Sequence, residues 1–423
     1  MSRRGVSITG SIVAGLLGQA ALVVSGVLAA RMLGVEDRGN LALLVLFPAA
    51  LSQIGSLGLP LATTYELSKR PVAAAELVRR LATPVAAQAA VLVLIHVVIL
   101  AIIFRSDPHP VRLAALVSLG AIPAALAQLY GVAILQGQQR FAAFNVLRTL
   151  PAAAYSAAVL ALFVADAGTL ERVTVAWVAS SAVVGAATMV IALRSAALRG
   201  ARAGVYSISR MLRFGLRGLL GSTSPIETFR LDQAVVGLFL STASLGLYVA
   251  GLAFANLPRF IAQSIGYVAY PRVARRGPGE EGQRELWHSF WLAVGVCSVI
   301  ILLLELSVGR LVPLFFGHDF AGAVPLTRIL LVGALFLSAR RVLTDGAQGL
   351  GRPGLGTIAE VASWAFLLPA LAVFTPLLGA RGVALALTVS AALSFTVLLF
   401  LVTRRPTPRE LPPPRVLPVR GSE

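Results

Sequence analysis

The chain has 423 residues, 57% of them hydrophobic and only 13% charged, with a mean hydropathy of +0.84. So few charges cannot cover a soluble surface, which excludes a soluble globular domain and makes the bilayer the solvent. A net charge of +18 would suggest nucleic acid in a soluble protein, but here its distribution along the chain accounts for it without such a partner.

A membrane span needs about 20 apolar residues. Such stretches occur at 9–33, 40–64, 81–104, 113–135, 149–165, 174–193, 214–240, 245–269, 289–309, 324–345, 355–376 and 382–402. The fifth, from Thr149, is short and begins beside Pro151. With twelve spans, 26 of the 36 Lys and Arg residues fall on the side of the N-terminus and 8 on the other. An odd count would scramble this asymmetry, which predicts both termini in the cytoplasm. Arg3 and Arg4 precede an apolar run longer than a signal-peptide core, so the first span is predicted to stay uncleaved. The longest connection on the basic side, 194–213, divides the spans six and six. The predicted organisation is an N-terminal lobe at 1–193, a linker at 194–213, a C-terminal lobe at 214–402 and a disordered Pro-rich cytoplasmic tail from 403.

Two internal echoes support a repeat. Residues 136–140 read QGQQR and 348–352 read QGLGR, each leaving the fourth span of its half, and Gly39-Asn40-Leu41 corresponds to Gly246-Leu247-Tyr248 between the first and second spans. Six spans return the chain to the same side, so such halves are related by an axis along the membrane normal, and a binding site is expected in the crevice between them.

Charged residues inside spans are costly and usually face a bundle interior or wet cavity. The seventh span reads LLGSTSPIETFRLDQAVVGLF. Glu227 sits at its midpoint, Pro225 should kink it, Arg230 follows on the same face as Glu227, and Asp232 projects about 160° from Arg230. A cavity reading makes Arg230 a phosphate ligand and Glu227 or Asp232 a carboxylate that takes up a coupling proton or sodium ion; a structural reading makes Glu227 and Arg230 a pair that fixes packing. In the eighth span Asn256, Arg259 and Gln263 form a polar stripe continued by Tyr267, suited to sugar hydroxyls and phosphate or to a seam between helices. Glu360 in the eleventh span is a further candidate for ion coupling. Gln19, Gln53, Gln88 and Gln128 are read as lining a cavity or, more simply, bridging helices, and Asp345, after Arg340 and Arg341, as a pairing residue or a gate between the halves.

The single cysteine, Cys297, excludes an intramolecular disulfide and a metal-binding thiol pair. No phosphate-binding GxxxxGK[ST] loop, HExxH or GxSxG motif is present. The reading is of a protein without cofactor or metal that performs no bond chemistry. The longest loop on the far side, about 310–323, is too short for a catalytic ectodomain, which disfavours a membrane glycosyltransferase or polymerase.

Five segments, LAARMLGVEDRGNLAL at 28–43, FRLDQAVVGLFLSTASLGLYVAGLAFANLP at 229–258, YPRVARR at 270–276, FFGHDFAGAVPLTRILL at 315–331 and DGAQGLGRPGLGT at 345–357, resemble in their order the Wzx-type flippases of the multidrug/oligosaccharidyl-lipid/polysaccharide (MOP) exporter superfamily. The resemblance implies an all-α membrane protein of two six-helix lobes in a V, like the multidrug transporters of that superfamily. It implies movement of a polyprenyl-diphosphate-linked oligosaccharide from the inner to the outer leaflet of the cytoplasmic membrane, with a polymerase and glycosyltransferases as functional partners. It also carries cavity roles over to Arg230 and Asp232. Lipid II flippases usually cluster arginines in their first two helices, where this sequence is read as having Arg31 at a helix end. A drug/cation antiporter on the same scaffold is the alternative, and would need a more acidic and aromatic cavity.

Overall fold

A computed structural model describes residues 3–69, 74–197, 207–222, 230–352 and 354–404, and every regular element among them is helical. In hydrocarbon a helix satisfies its own backbone polar groups, which an open strand cannot. Helix α1 (Arg3–Gly55) would measure about 80 Å if straight, far beyond one crossing, and it is in fact two: Gly34, at φ 72°, breaks it. The second span therefore resumes at 35 and, after a 50° bend, continues into α2 (Leu59–Lys69). Helices α3 (Ala74–Ile103), α4 (His109–Ser118) with α5 (Ala121–Gly137), α6 (Phe141–Val164) and α7 (Leu170–Ala197) complete six spans. The fifth is not short, since α6 starts eight residues before Thr149 and carries Pro151 inside it.

The seventh span is represented by α8 (Ile208–Ser222) and α9 (Leu231–Phe239). The predicted kink at Pro225, and Glu227 with it, lie outside the described residues. Then follow α10 (Thr242–Arg276), α11 (Glu280–Phe316), a short 3-10 turn at His318–Gly322, α12 (Ala323–Gly349) and α13 (Gly354–Thr403). Gly379, at φ 58°, divides α13 into the eleventh and twelfth spans. Among the described residues, eight helices can cross a membrane by length and composition alone, or nine with the bent pair. Dividing α1 and α13 at their glycines makes eleven, and α8 and α9 stand at the two ends of the seventh predicted span, whose middle lies outside the described residues.

The helices form two bundles. In the first, α5 packs on α7 and α2, and α6 on α1 and α7; in the second, α12 packs on α10, α11 and α13. One apolar core, with Leu77, Ile122 and Tyr130, lies within the first six spans and also takes Met211 of α8. Another, with Leu286, Cys297 and Leu343, lies within the last five spans. A third core joins the bundles through Leu41, Phe104, Leu170, Tyr248 and Val383, residues close to the turns opposite the chain ends. The face away from the termini, here the far face, is thus where the halves fuse.

The repeat is visible as repeated contact. A Cβ added at Gly39 would lie 1.7 Å from the Thr242 carbonyl oxygen, and one at Gly246 would lie 2.0 Å from that of Val35. Gly246 and Thr242 follow Gly39 and Val35 by the same 207 positions, so the two contacts are exchanged by a twofold axis running between α1 and α10. The second echo behaves alike. Gly137 packs on Leu67 and Thr64, Gly349 on Val273 and Tyr270. Both helix ends close with the same bonds, Arg140 N to Leu135 O at 3.0 Å and Arg352 N to Ala347 O at 2.9 Å, around a positive φ at Gln139 and Gly351. Gln128 bridges α5 to the Leu147 carbonyl at 2.6 Å, and Gln88 accepts from the Tyr130 hydroxyl at 2.9 Å, as the sequence suggests.

Candidate functional site

A cavity of about 480 Å³ lies between the halves. The first span gives it Leu22, Val23 and Gly26, and the start of the second gives Arg38. Arg230, Asp232 and Gln233 enter from the α9 side, Asn256, Arg259 and Gln263 from α10, and Leu337 and Arg341 from α12. Its wall is therefore assembled from both bundles, as the repeat requires.

Local geometry sets each side chain. Arg230 holds φ 46° and ψ 45° immediately before α9, a left-handed conformation that costs a non-glycine residue about 1–2 kcal/mol. Strain of this kind collects where function over-determines the backbone. Asp232 then falls in the first turn of α9, where a carboxylate meets the positive end of the helix dipole. It is 2% exposed. Its Oδ2 accepts a hydrogen bond from the Tyr248 hydroxyl at 2.9 Å, while Oδ1 is buried without a partner. On α10, Arg259 donates through Nη1 to Asn256 Oδ1 at 2.7 Å, and Gln263 donates to the Tyr267 hydroxyl at 3.1 Å. Arg341 pairs with Asp345 at 3.1 Å and lies over the Tyr267 ring at 5.9 Å. The Nε of Arg38 is buried without a partner.

Four arginines and one carboxylate thus occur among the described residues that line this cavity. Guanidinium groups present forks of N–H donors matched to phosphate oxygens, and an excess of cations around one cavity favours an anionic ligand. The amides of Asn256, Gln263 and Gln233 add donors and acceptors suited to hydroxyl groups. Leu22, Val249, Leu252 and Phe316 give the same cavity an apolar side.

Five residues singled out in the sequence, Arg230, Asp232, Asn256, Arg259 and Gln263, come together here. Glu227 lies outside the described residues. Glu360 is elsewhere: Arg340 of α12 donates to its Oε1 at 3.0 Å and to Ser394 at 3.0 Å. Its carboxylate is thus engaged in a polar tie among the tenth, eleventh and twelfth spans, apart from the residues that line the cavity. Sequence reasoning missed Arg38 and Arg341. It started the second span at 40, which left Arg38 in a loop on the far side, whereas the helix resumes directly after Gly34 and draws Arg38 into the wall. Arg31 is not the sole arginine to consider in the first two spans. The signal available was Gly34, a glycine five residues ahead of Gly39 and equally able to supply the turn.

The fold has known counterparts. The chain is similar to the lipid II flippase MurJ in an inward closed conformation, at 13% identity and a TM-score of 0.71 over 93% of this chain and 87% of that one. It is similar to an inward-facing multidrug resistance MATE family transporter of the MOP superfamily, at 16% identity and a TM-score of 0.67 over 90% and 93%. A third counterpart is a MOP superfamily transporter from Pyrococcus furiosus described by a binding pocket of reversed polarity, at 14% identity and a TM-score of 0.57 over 93% and 94%. No curated protein matches by sequence. The family model for polysaccharide biosynthesis protein matches residues 27–325. With that match covering most of the chain, this multi-pass membrane protein belongs to the polysaccharide biosynthesis protein family.

Proposed function

We propose that the chain is a flippase that carries a polyprenyl-diphosphate-linked oligosaccharide from the inner to the outer leaflet of the cytoplasmic membrane, for surface polysaccharide synthesis. The observation that carries this reading is the convergence of Arg38, Arg230, Arg259 and Arg341 on one cavity between the lobes. A diphosphate cannot cross hydrocarbon unaided. In this mechanism Arg230 and Arg259 take its charge, the amides of Asn256 and Gln263 hold the first sugars, and the polyprenyl tail remains in the lipid. Rocking of one lobe against the other then exposes the headgroup alternately to each side, with both termini in the cytoplasm and no covalent step. Among the described residues that line the cavity, Asp232 is the carboxylate that would take up a coupling proton or sodium ion. A drug/cation antiporter would need the opposite balance of charge in the cavity.

The family match and the likeness to a lipid II flippase support this class of cargo. Deletion of the gene is expected to abolish surface glycan and to leave lipid-linked oligosaccharide in the lipid extract, with rescue by wild type. Arg230→Ala and Arg259→Ala, expressed and folded at wild-type level, are expected to restore less than a tenth of the glycan. Full restoration by both variants would sink the assignment.

A further inference from the structure

Four arginines around a diphosphate raise a problem of release: a carrier must hold its cargo well enough to load it and loosely enough to let it go. Deepening the reading above, and resting on it, we infer that the Asp232 carboxylate, while ionised and free of a coupling ion, is a built-in competitor for the cargo, an anion that draws on the same guanidinium groups and so sets how readily the diphosphate leaves.

The setting of Asp232 differs from that of other buried carboxylates. Glu285 is paired with Arg276 at 3.0 Å and Asp345 with Arg341 at 3.1 Å, as carboxylates with a purely structural role usually are. Asp232 is more deeply buried than either, yet its Oδ1 has no partner and it lines the cavity. Its Oδ2 is tied by the Tyr248 hydroxyl, and Tyr248 is itself fully enclosed, so the carboxylate is held in place rather than free to turn away. The charges acting on it come from Arg259 on α10 and from Arg230 just before its own helix, the two arginines assigned to the cargo. Arg230 in turn stands close enough to Arg38 for their charges to interact. A diphosphate bound among these groups shares their field with Asp232 and meets its negative charge within the same cavity.

Neutralising Asp232 therefore tightens the grip on cargo and slows its departure. The test uses the full chain in lipid nanodiscs, titrated with inorganic pyrophosphate at fixed ionic strength, for wild type, Asp232→Asn and Tyr248→Phe. Asparagine keeps the shape and can still accept from Tyr248, so Asp232→Asn is expected to bind pyrophosphate about tenfold or more tightly. The same variant, expressed at wild-type level, is expected to support several-fold slower export. This opposition of affinity and turnover is one that simple structural damage does not produce. Tyr248→Phe releases the carboxylate toward Arg230 and Arg259 and is expected to bind pyrophosphate several-fold more weakly. If wild type binds and Asp232→Asn binds no tighter, the inference fails while the cargo reading stands. If neither protein binds pyrophosphate, both fail. Should Asp232→Asn not fold, an unchanged affinity in Tyr248→Phe overturns the inference by itself.

Discussion

At the scale of single residues, depth in the membrane was legible in the sequence and direction was not. Arg230, Asp232, Asn256, Arg259 and Gln263 stand out as polar groups amid apolar runs, and they do share one cavity. Glu360 has the same signature, yet it turns toward Arg340, whose side chain is 7% exposed. Nothing in a lone sequence reports which way round its helix a buried carboxylate faces when its partner is 20 positions away on another helix. The tie makes a prediction of its own. Arg340→Leu strips the half-buried pair of its cation and is expected to cost about 1–3 kcal/mol, read as a lowered melting temperature of the purified protein. Arg340→Leu combined with Glu360→Leu is expected to recover most of that loss. A single variant as stable as wild type would show that the pair contributes nothing to packing.

At the scale of elements, glycines account for the main differences between reading and structure. Outside the seventh, whose middle lies beyond the described residues, the apolar runs each fall on a helix, within a few residues at most ends, because burial in lipid leaves the helix as the available choice. The start of the second span was misplaced because a glycine turn costs one residue where a loop of several was expected. The contacts at Gly39 and Gly246 leave no room for a side chain, so these positions close the far face by direct approach of two backbones. Arg31 adds a second tie there, donating from Nε to the Phe315 carbonyl at 2.7 Å and from Nη2 to that of Leu314, at the C-terminal end of α11. Gly39→Leu should hold the far face open. In a Cys297→Ser background, a Leu252→Cys probe is expected to react with an impermeant maleimide added from that face at least several-fold faster in the Gly39→Leu variant. Arg31→Ala should shift the rate in the same direction by less. Equal labelling in all three proteins would mean that this crossing does not govern access.

At the scale of the whole molecule, the weak echoes at 136–140 with 348–352 and at Gly39 with Gly246 mark the points where the two halves make equivalent contacts. They are short because only the close approaches demand particular residues; elsewhere Leu, Val and Ala exchange freely so long as volume is kept. Equivalence has a thermodynamic consequence. Gly137→Val and Gly349→Val meet backbone and side chain at similar distances, 2.7 to 3.0 Å, and should destabilise by comparable amounts of about 1–3 kcal/mol. Strongly unequal losses would argue against equivalent packing. The same architecture puts a basic cavity between two lobes that meet at the far face, where the proposed flippase would hold its anionic headgroup. The most direct test is translocation by the purified chain in vesicles containing a polyprenyl-diphosphate oligosaccharide, scored by the fraction open to an externally added glycosidase. Wild type is expected to expose nearly all of the lipid, while Arg230→Ala and Arg259→Ala leave about half protected, as in vesicles without protein. Persistent protection with the wild-type chain, under an imposed ion gradient or membrane potential as well as without one, would contradict the account.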